Sequence, residues 1–178
     1  MRRLRYQVAT SLDGYIAGPN GEFDWIVMDP DIDFAALFAQ FDTAIMGRKT
    51  FLATVRQGGT GAMPGLQVIV FSRTLRQADY PAVSIVNGDP VERVRALKAA
   101  PGRDIWLFGG GQLFATLLEG GVVDTVEPAI VPVLLGSGIP MLPSSADRTT
   151  LSLSKHRLYP KSGILALEYT IARHKART

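Results

Sequence analysis

A glycine triplet, Gly109–Gly111, stands between an apolar segment and the start of a predicted helix, an arrangement suited to binding a phosphate. Residues without a Cβ atom let the backbone approach an anion closely. The N–H groups at the start of the helix add donors and the positive end of the helix dipole. A glycine-rich turn from strand to helix can also serve only tight packing. The triplet by itself leaves both interpretations open.

Two further segments carry phosphate-binding groups, and each follows a predicted strand. They contain glycine, cationic and hydroxyl-bearing residues: Gly47, Arg48, Lys49 and Thr50 in the first, Ser72 and Arg73 in the second. Ligands bind beyond the carboxyl ends of the strands in open α/β sheets. The three segments together offer the groups that a pyrophosphate and an additional phosphate monoester require. If either arginine is considered alone, the alternative to phosphate binding is an ordinary charged side chain that contacts only solvent.

The elements that must position these segments alternate between strand and helix patterns. Strand patterns cover residues 5–10, 43–46, 67–71, 83–86, 104–108 and 125–131, and helix patterns cover 91–99 and 112–119. Residues 151–158 and 164–171 alternate around a turn and predict an antiparallel hairpin. The chain is therefore predicted to be a single α/β domain, 1–178. Its central sheet is mostly parallel, with helices on both faces and an antiparallel C-terminal hairpin at the edge.

One predicted helix precedes the second strand. Its apolar residues Phe34, Leu37, Phe38 and Phe41 fall at helical spacing. Asp31 or Asp33 is a candidate for its N-cap.

Composition and charge exclude several classes of protein. The chain has 178 residues, of which 47% are hydrophobic and 20% are charged, as in an ordinary globular domain. It has no cysteine and no apolar run near the ~20 residues that span a bilayer, so a cytoplasmic location without membrane association is expected. The net charge of +3 is scattered, which argues against nucleic-acid binding. The only histidines, His156 and His174, are predicted to be ordinary strand and tail residues, so no metal site is expected.

The position of the triplet argues against an ordinary Rossmann domain, which places its glycine-rich turn after the first strand. Five segments, at residues 9–17, 45–51, 70–74, 107–114 and 135–140, instead resemble the dihydrofolate reductase superfamily. Within it, they are similar to single-domain bacterial proteins related to the reductase domain of the bifunctional riboflavin-biosynthesis deaminase/reductase. They occur in the family's order and cover nearly the whole chain. The resemblance implies a three-layer dihydrofolate reductase-like fold.

The resemblance also implies that NADPH is the cofactor. By analogy, Gly47, Arg48, Lys49 and Thr50 would hold the pyrophosphate, and Ser72 and Arg73 would clasp the 2′-phosphate. The residues that would wrap the pyrophosphate from the other side are Gly109, Gly110, Gly111, Gln112 and Leu113. Ala9 and Ile16 would flank the nicotinamide.

The substrate implied by the resemblance is a small, flat heterocycle of pterin or aminopyrimidine type. Its protonation would come from water or from a carboxylate, with Asp31 the first candidate and Asp29 and Asp33 behind it. A helix cap or a solvated acid is the alternative for each aspartate. Trp25 resembles a tryptophan of the family, and Trp25 and Phe34 are candidate substrate contacts.

Two functions follow from this resemblance. The first is an NADPH-dependent reductase acting on a small molecule, either a folate or a riboflavin precursor. The second is an NADP(H)-binding module without efficient turnover. Related proteins are often dimers, so a homodimer is a further expectation.

Overall fold

The computed structural model describes residues 1–143 and 148–172, so His174 lies outside the described residues. In chain order the strands and helices are β1 (Leu4–Ser11), β2 (Tyr15–Ala17), α1 (Phe34–Phe38), β3 (Phe41–Gly47), α2 (Arg48–Arg56), β4 (Gln67–Phe71), a 3-10 turn (Gln77–Asp79), β5 (Ser84–Val86), α3 (Pro90–Ala99), β6 (Asp104–Gly109), α4 (Gly111–Glu119), β7 (Thr125–Val131), β8 (Ile139–Pro140), β9 (Leu151–Tyr159) and β10 (Ile164–Ile171). Within the described ranges, no helix is long and apolar enough to cross a membrane.

Eight strands form one sheet in the order β5-β4-β3-β6-β1-β7-β10-β9. The first six strands in this order pair in parallel. β10 is antiparallel to β7, and β9 is antiparallel to β10. The predicted parallel sheet with a C-terminal antiparallel hairpin is confirmed.

Helices cover both faces of the sheet, because successive side chains of a strand point to opposite sides. On one face, Ile45 and Leu107 pack against α3 and α4, which contribute residues such as Val94 and Phe114. On the other face, the neighbouring strand residues pack against α2 around Phe51, which is fully buried. The molecule therefore has three layers, with apolar cores above and below the sheet.

The prediction that Phe41 belongs to the first helix is wrong. α1 ends at Phe38, and Phe41 begins β3, where it pairs with Asp104 of β6. The ring is fully buried, and the guanidinium of Arg5 lies 4.8 Å from its centroid. Burial in the sheet therefore outweighs the helical spacing. Of the two candidate caps, the Asp33 carboxylate accepts a hydrogen bond from the Ala36 N–H at 2.9 Å and caps α1.

A second, two-stranded sheet formed by β2 and β8 was not predicted, because strands of two or three residues carry no readable periodicity. The Asp13 carboxylate connects the turn before β2 to the loop before β8. It accepts hydrogen bonds from the Leu135 and Gly136 N–H groups, the latter at 2.7 Å. The carboxylate thereby ties together the two segments that carry β2 and β8.

Candidate functional site

A cleft of about 1520 Å³ runs along the sheet face that carries α1 and α2. The predicted phosphate-binding residues that line it are Gly47, Arg48, Lys49, Thr50, Arg73, Gly110, Gly111, Gln112 and Leu113. They follow β3, β4 and β6, which are neighbours in the sheet. Since adjacent strands lie about 4.8 Å apart, the three loops are brought within roughly 10 Å of one another. The structure therefore brings the three predicted segments together at one edge.

Two helix N-termini open onto this edge of the cleft. The nine-residue helices α2 and α4 have Gly47 and Gly110 as N-caps, and neither cap makes a side-chain hydrogen bond. The first N–H groups of a helix have no partner inside the helix, so both ends present donors and a positive partial charge. Arg48, Lys49 and Arg73 are exposed, and within the described part of the chain none of them forms an ion pair. This edge is suited to binding anions.

The glycines at this edge differ in the space that a Cβ atom would have at each position. A Cβ on Gly111 would lie 2.8 Å from the Pro140 carbonyl oxygen, and one on Gly110 would lie 2.9 Å from Thr50 Oγ1. Tight packing against the backbone therefore requires glycine at 111, whereas the contact at 110 is with a side-chain hydroxyl. A Cβ on Gly47 would meet nothing closer than Leu113 Cβ at 3.9 Å, and Gly47 has an ordinary φ of −84°. Open space remains beside the Gly47 backbone, as a cradle for a ligand needs.

Two residues that were predicted to bind the cofactor, Gly109 and Ser72, do not line the cleft. Gly109 has a φ of +136° and is joined to Gly110 by a cis peptide bond. Ser72 is buried, and its hydroxyl accepts hydrogen bonds from the Thr74 and Leu75 N–H groups. Ser72 thus shapes the loop from which Arg73 reaches the cleft.

The other end of this edge is apolar. Ala9 of β1 and Ile16 of β2 border the cleft, as do Ile139 and Pro140 of β8. The two-stranded sheet therefore forms a wall beside the glycine triplet.

The three candidate aspartates have different surroundings. Asp33 borders the cleft and caps α1. Asp29 is buried and accepts hydrogen bonds from the Ser162 N–H at 3.0 Å and the Asp31 N–H at 2.8 Å. Asp31 forms an ion pair with Lys161 at 2.7 Å. Neither Asp29 nor Asp31 borders the cleft, so position favours Asp33 over Asp31.

The two candidate substrate contacts, Phe34 and Trp25, also have different surroundings. Phe34 lines the cleft, whereas Trp25 packs against Val131, Tyr159 and Ile164 and donates its ring N–H to the Glu22 carbonyl. In the part of the chain that the structure describes, no three acidic or histidine side chains are grouped closely enough to hold a metal.

Aromatic side chains that sequence reasoning did not select form one wall of the cleft. Trp106 lies between Phe38, at 5.2 Å between ring centroids, and Phe108, at 4.9 Å. Phe38 in turn contacts Phe34. Such a wall accommodates a flat ring by stacking or edge contacts.

A buried ion pair forms the floor of the cleft and was also missed. Arg5 of β1 donates through Nε and Nη2 to the two carboxylate oxygens of Glu127 on β7, each at 2.8 Å, and both side chains are only 5% exposed. Burial works to lower the pKa of Arg5, but its hydrogen bonds and attraction to Glu127 outweigh this and raise the pKa. The signal in the sequence was a charged residue in each of two strands predicted for the central sheet, where a buried charge demands a partner.

Fold and site together place this molecule among the dihydrofolate reductase-like domains, with an edge suited to anions beside an apolar and aromatic cleft. The model of the RibD C-terminal domain family matches residues 2–165, and the chain belongs to this family.

Individual relatives agree with this membership. The uncharacterized protein YyaP of Bacillus subtilis is 36% identical over 179 residues, 94% of this chain and 94% of that protein. The riboflavin biosynthesis protein RibD of Mycobacterium tuberculosis is 27% identical over 150 residues, 76% of this chain but 44% of that protein. The crystal structure of a Shewanella sp. PV-4 protein named for riboflavin biosynthesis has a TM-score of 0.82 at 26% identity, covering 97% of this chain and 100% of that one.

Replacing Arg5 alone is expected to destabilise the protein strongly. Arg5→Met leaves the buried Glu127 carboxylate without its cation, which costs about 3–5 kcal/mol in the free energy of unfolding. The double variant Arg5→Met, Glu127→Met recovers most of this loss, because an apolar pair of similar volume is often neutral. Urea denaturation measures both. A double variant as unstable as the single one would contradict this account.

Asp29→Asn is expected to lower stability at neutral pH but not in acid. Hydrogen bonds from Ser162 and the Asp31 N–H lower the pKa of Asp29. The ionised carboxylate therefore stabilises the fold above the pKa of an unfolded aspartate, about 3.9, and this contribution is lost as the pH falls through the lower folded value. The difference in melting temperature between wild type and variant should narrow below about pH 4. A difference that stays constant down to about pH 2 would argue against it.

Proposed function

We propose that this protein is an NADPH-dependent reductase that acts on a small, flat heterocycle. The observation that carries the proposal is the meeting of two helix N-termini that lack side-chain caps with three cations that form no ion pair among the described residues. An extended, multiply charged phosphate ligand matches such an edge better than a single carboxylate does.

The residues present fit a dinucleotide phosphate. The open space at Gly47 lets a pyrophosphate approach the backbone, and the first N–H groups of α2 and α4 would donate to its oxygens. Arg48, Lys49 and Thr50 would contribute charge and a hydroxyl from one side. Arg73, in the loop that follows the neighbouring strand β4, would bind the 2′-phosphate, for which its planar guanidinium is well suited.

When bound, NADPH supplies the hydride. Ala9 and Ile16 of this chain would flank the nicotinamide and exclude water on the apolar side. The wall of Phe34, Phe38 and Trp106 would hold a flat ring across the cleft. Asp33, the aspartate that borders the cleft, or water would provide the proton.

An aminopyrimidine is the preferred substrate class, and a pterin is the alternative. The printed names of the Mycobacterium and Shewanella relatives place those proteins in riboflavin biosynthesis, which supports the aminopyrimidine.

The second candidate is an NADP(H)-binding module without efficient turnover. The position of Asp29 and Asp31 outside the cleft favours it, since Asp33 is then the only one of the three aspartates near a bound ring.

One experiment tests the reductase and separates it from the module. NADPH binding is titrated by fluorescence, and the loss of NADPH absorbance is then followed with dihydrofolate, the aminouracil ribosyl phosphate, and a panel of quinones and aldehydes. Oxidation with a ring substrate supports the reductase. Binding without oxidation of any candidate supports the module, and absence of binding overturns both.

Gly47→Ala and Gly111→Ala form a matched pair. Gly47→Ala should change stability by less than about 1 kcal/mol, because reduced chain entropy offsets a poorer N-cap. It should weaken NADPH binding at least about tenfold by filling the cradle. Gly111→Ala should lose about 1–3 kcal/mol of stability, because its Cβ clashes with the Pro140 carbonyl oxygen. Thermal unfolding and NADPH titration measure both variants. Unchanged affinity in Gly47→Ala would exclude the cradle.

Arg73→Ala is expected to weaken NADPH binding much more than NADH binding, because only NADPH carries the 2′-phosphate. A loss of about 1.5–3 kcal/mol, roughly 10- to 150-fold in Kd, is typical of a hydrogen bond to a charged group. Fluorescence titration with each dinucleotide measures the difference. Arg76→Ala, on the same loop and paired with Asp79, serves as the control. Equal weakening of both dinucleotides would remove the assignment.

A further inference from the structure

Glu168 of β10 places a carboxylate beside the paired floor of the cleft and uses little of its hydrogen-bonding capacity. Its side chain lines the cleft and is 17% exposed. Its Oε2 accepts one hydrogen bond, from Lys155 Nζ at 3.2 Å, and its Oε1 accepts none within the described residues. Gln7 Oε1 is the only buried side-chain polar atom without a partner in the described part of the chain, so Glu168 Oε1 is accessible from the cleft.

Three carboxylates of the described residues line the cleft, and they differ in how fully they are paired. Asp33 is exposed and caps α1. Glu127 accepts four hydrogen bonds, two at each oxygen. A carboxylate has about four acceptor positions, so Glu127 has none left for a ligand. Glu168 uses one of its positions and is largely shielded from bulk water, so it is the cleft carboxylate with the most to gain from a ligand that donates hydrogen bonds.

Lys155 is a weak partner for Glu168. Its side chain is 75% exposed, and their contact is a single hydrogen bond at the edge strand β9. An ion pair with one partner this exposed contributes little, because water screens the charge and the long side chain loses freedom when it is held in place. A ligand N–H in the cleft can therefore replace the lysine at Glu168.

Strand pairing places Glu168 within reach of a ring bound beside Ala9. Ala9 of β1 pairs with Ala129 of β7, and Ala129 pairs with Ala166 of β10. Glu168 is two residues further along β10, so its side chain points to the same side of the sheet as that of Ala166. Two strand spacings of about 4.8 Å and one step of about 6.6 Å put the Cα atoms of Ala9 and Glu168 roughly 12 Å apart. A flat ring and the length of a glutamate side chain together span this distance.

We propose that Glu168 is a specificity-determining residue whose carboxylate accepts hydrogen bonds from an amino-bearing edge of the substrate ring. An edge of amidine type, with an amino group next to a ring N–H, presents two parallel donors that match the two oxygens of a carboxylate. The inference rests on the proposed function and narrows its substrate class. The reductase selects rings with such an edge and discriminates against quinones and aldehydes, whose oxygens only accept hydrogen bonds.

Calorimetric titration of the full chain tests the proposal with two flat probes, each measured with and without saturating NADP⁺. Diaminopyrimidine presents an amidine edge, whereas dimethoxypyrimidine has the same ring with acceptors only. Wild type should bind diaminopyrimidine at least about tenfold more tightly, the usual effect of hydrogen bonds to a charged group. Glu168→Gln keeps the shape of the side chain but removes the charge and one acceptor, so it should abolish most of this preference.

Lys155→Met separates ligand recognition from a structural role of the ion pair. It frees Glu168 Oε2, so diaminopyrimidine should bind at least as tightly as it does to wild type. A pair that served only structure would be broken equally by either substitution. Equal loss of diaminopyrimidine affinity in Lys155→Met and Glu168→Gln therefore overturns the inference. The lysine is exposed, so this comparison also decides the question if Glu168→Gln fails to fold.

Controls identify which proposal fails. Glu119→Gln, at the exposed end of α4, makes the same chemical change away from the cleft and should keep the wild-type preference. Glu168→Gln should keep the wild-type melting temperature and NADPH affinity, because it lies far from the phosphate edge. An equal preference in wild type and Glu168→Gln overturns the inference, as does failure of wild type to bind diaminopyrimidine. Absence of NADPH binding in wild type, with the probe preference kept, overturns the reductase but supports the ring site.

Discussion

Parallel pairing of β3 with β4 on one side and β6 on the other is the constraint on which the cleft depends. It brings the carboxyl ends of three strands to one edge, although the loops that follow them are separated by tens of residues in the chain. Two of those strands lead directly into helices, so the same pairing also aligns the N-termini of α2 and α4. Positive partial charges and cations therefore accumulate where the backbone is most accessible.

Charged groups at the floor of the cleft must be paired, unlike those at its edge, because the floor lies inside the sheet, where charges are poorly solvated. Arg5 and Glu127 satisfy one another there, and Thr125 and Gln7 complete the carboxylate's hydrogen bonds. Because the two charges satisfy one another, the floor is a fixed electrostatic surface rather than a source of mobile protons. The cleft thus joins an edge that is suited to anions to a rigid, paired floor.

Asp13 and Asp29 act as connections between the segments that cover the sheet. Asp13 holds the loop before β8, and Asp29 holds the loop before α1 against the turn of the β9–β10 hairpin. On the opposite side of the sheet, the Tyr6 hydroxyl donates to the Met141 carbonyl. Each of these contacts joins residues more than a hundred positions apart, so the cleft walls depend on the complete fold.

The sequence by itself determined the order of the elements in the main sheet, its mostly parallel pairing and the three loops at its edge, because periodicity, caps and glycine turns are local. Only the tertiary structure decided the rest. It placed Phe41 in β3 and Asp31 outside the cleft. It also brought Arg5 into contact with Glu127, which lies 122 positions away in the chain. A residue type shows that a charge needs a partner, but which partner it finds depends on strand order, and that order is a property of long-range pairing.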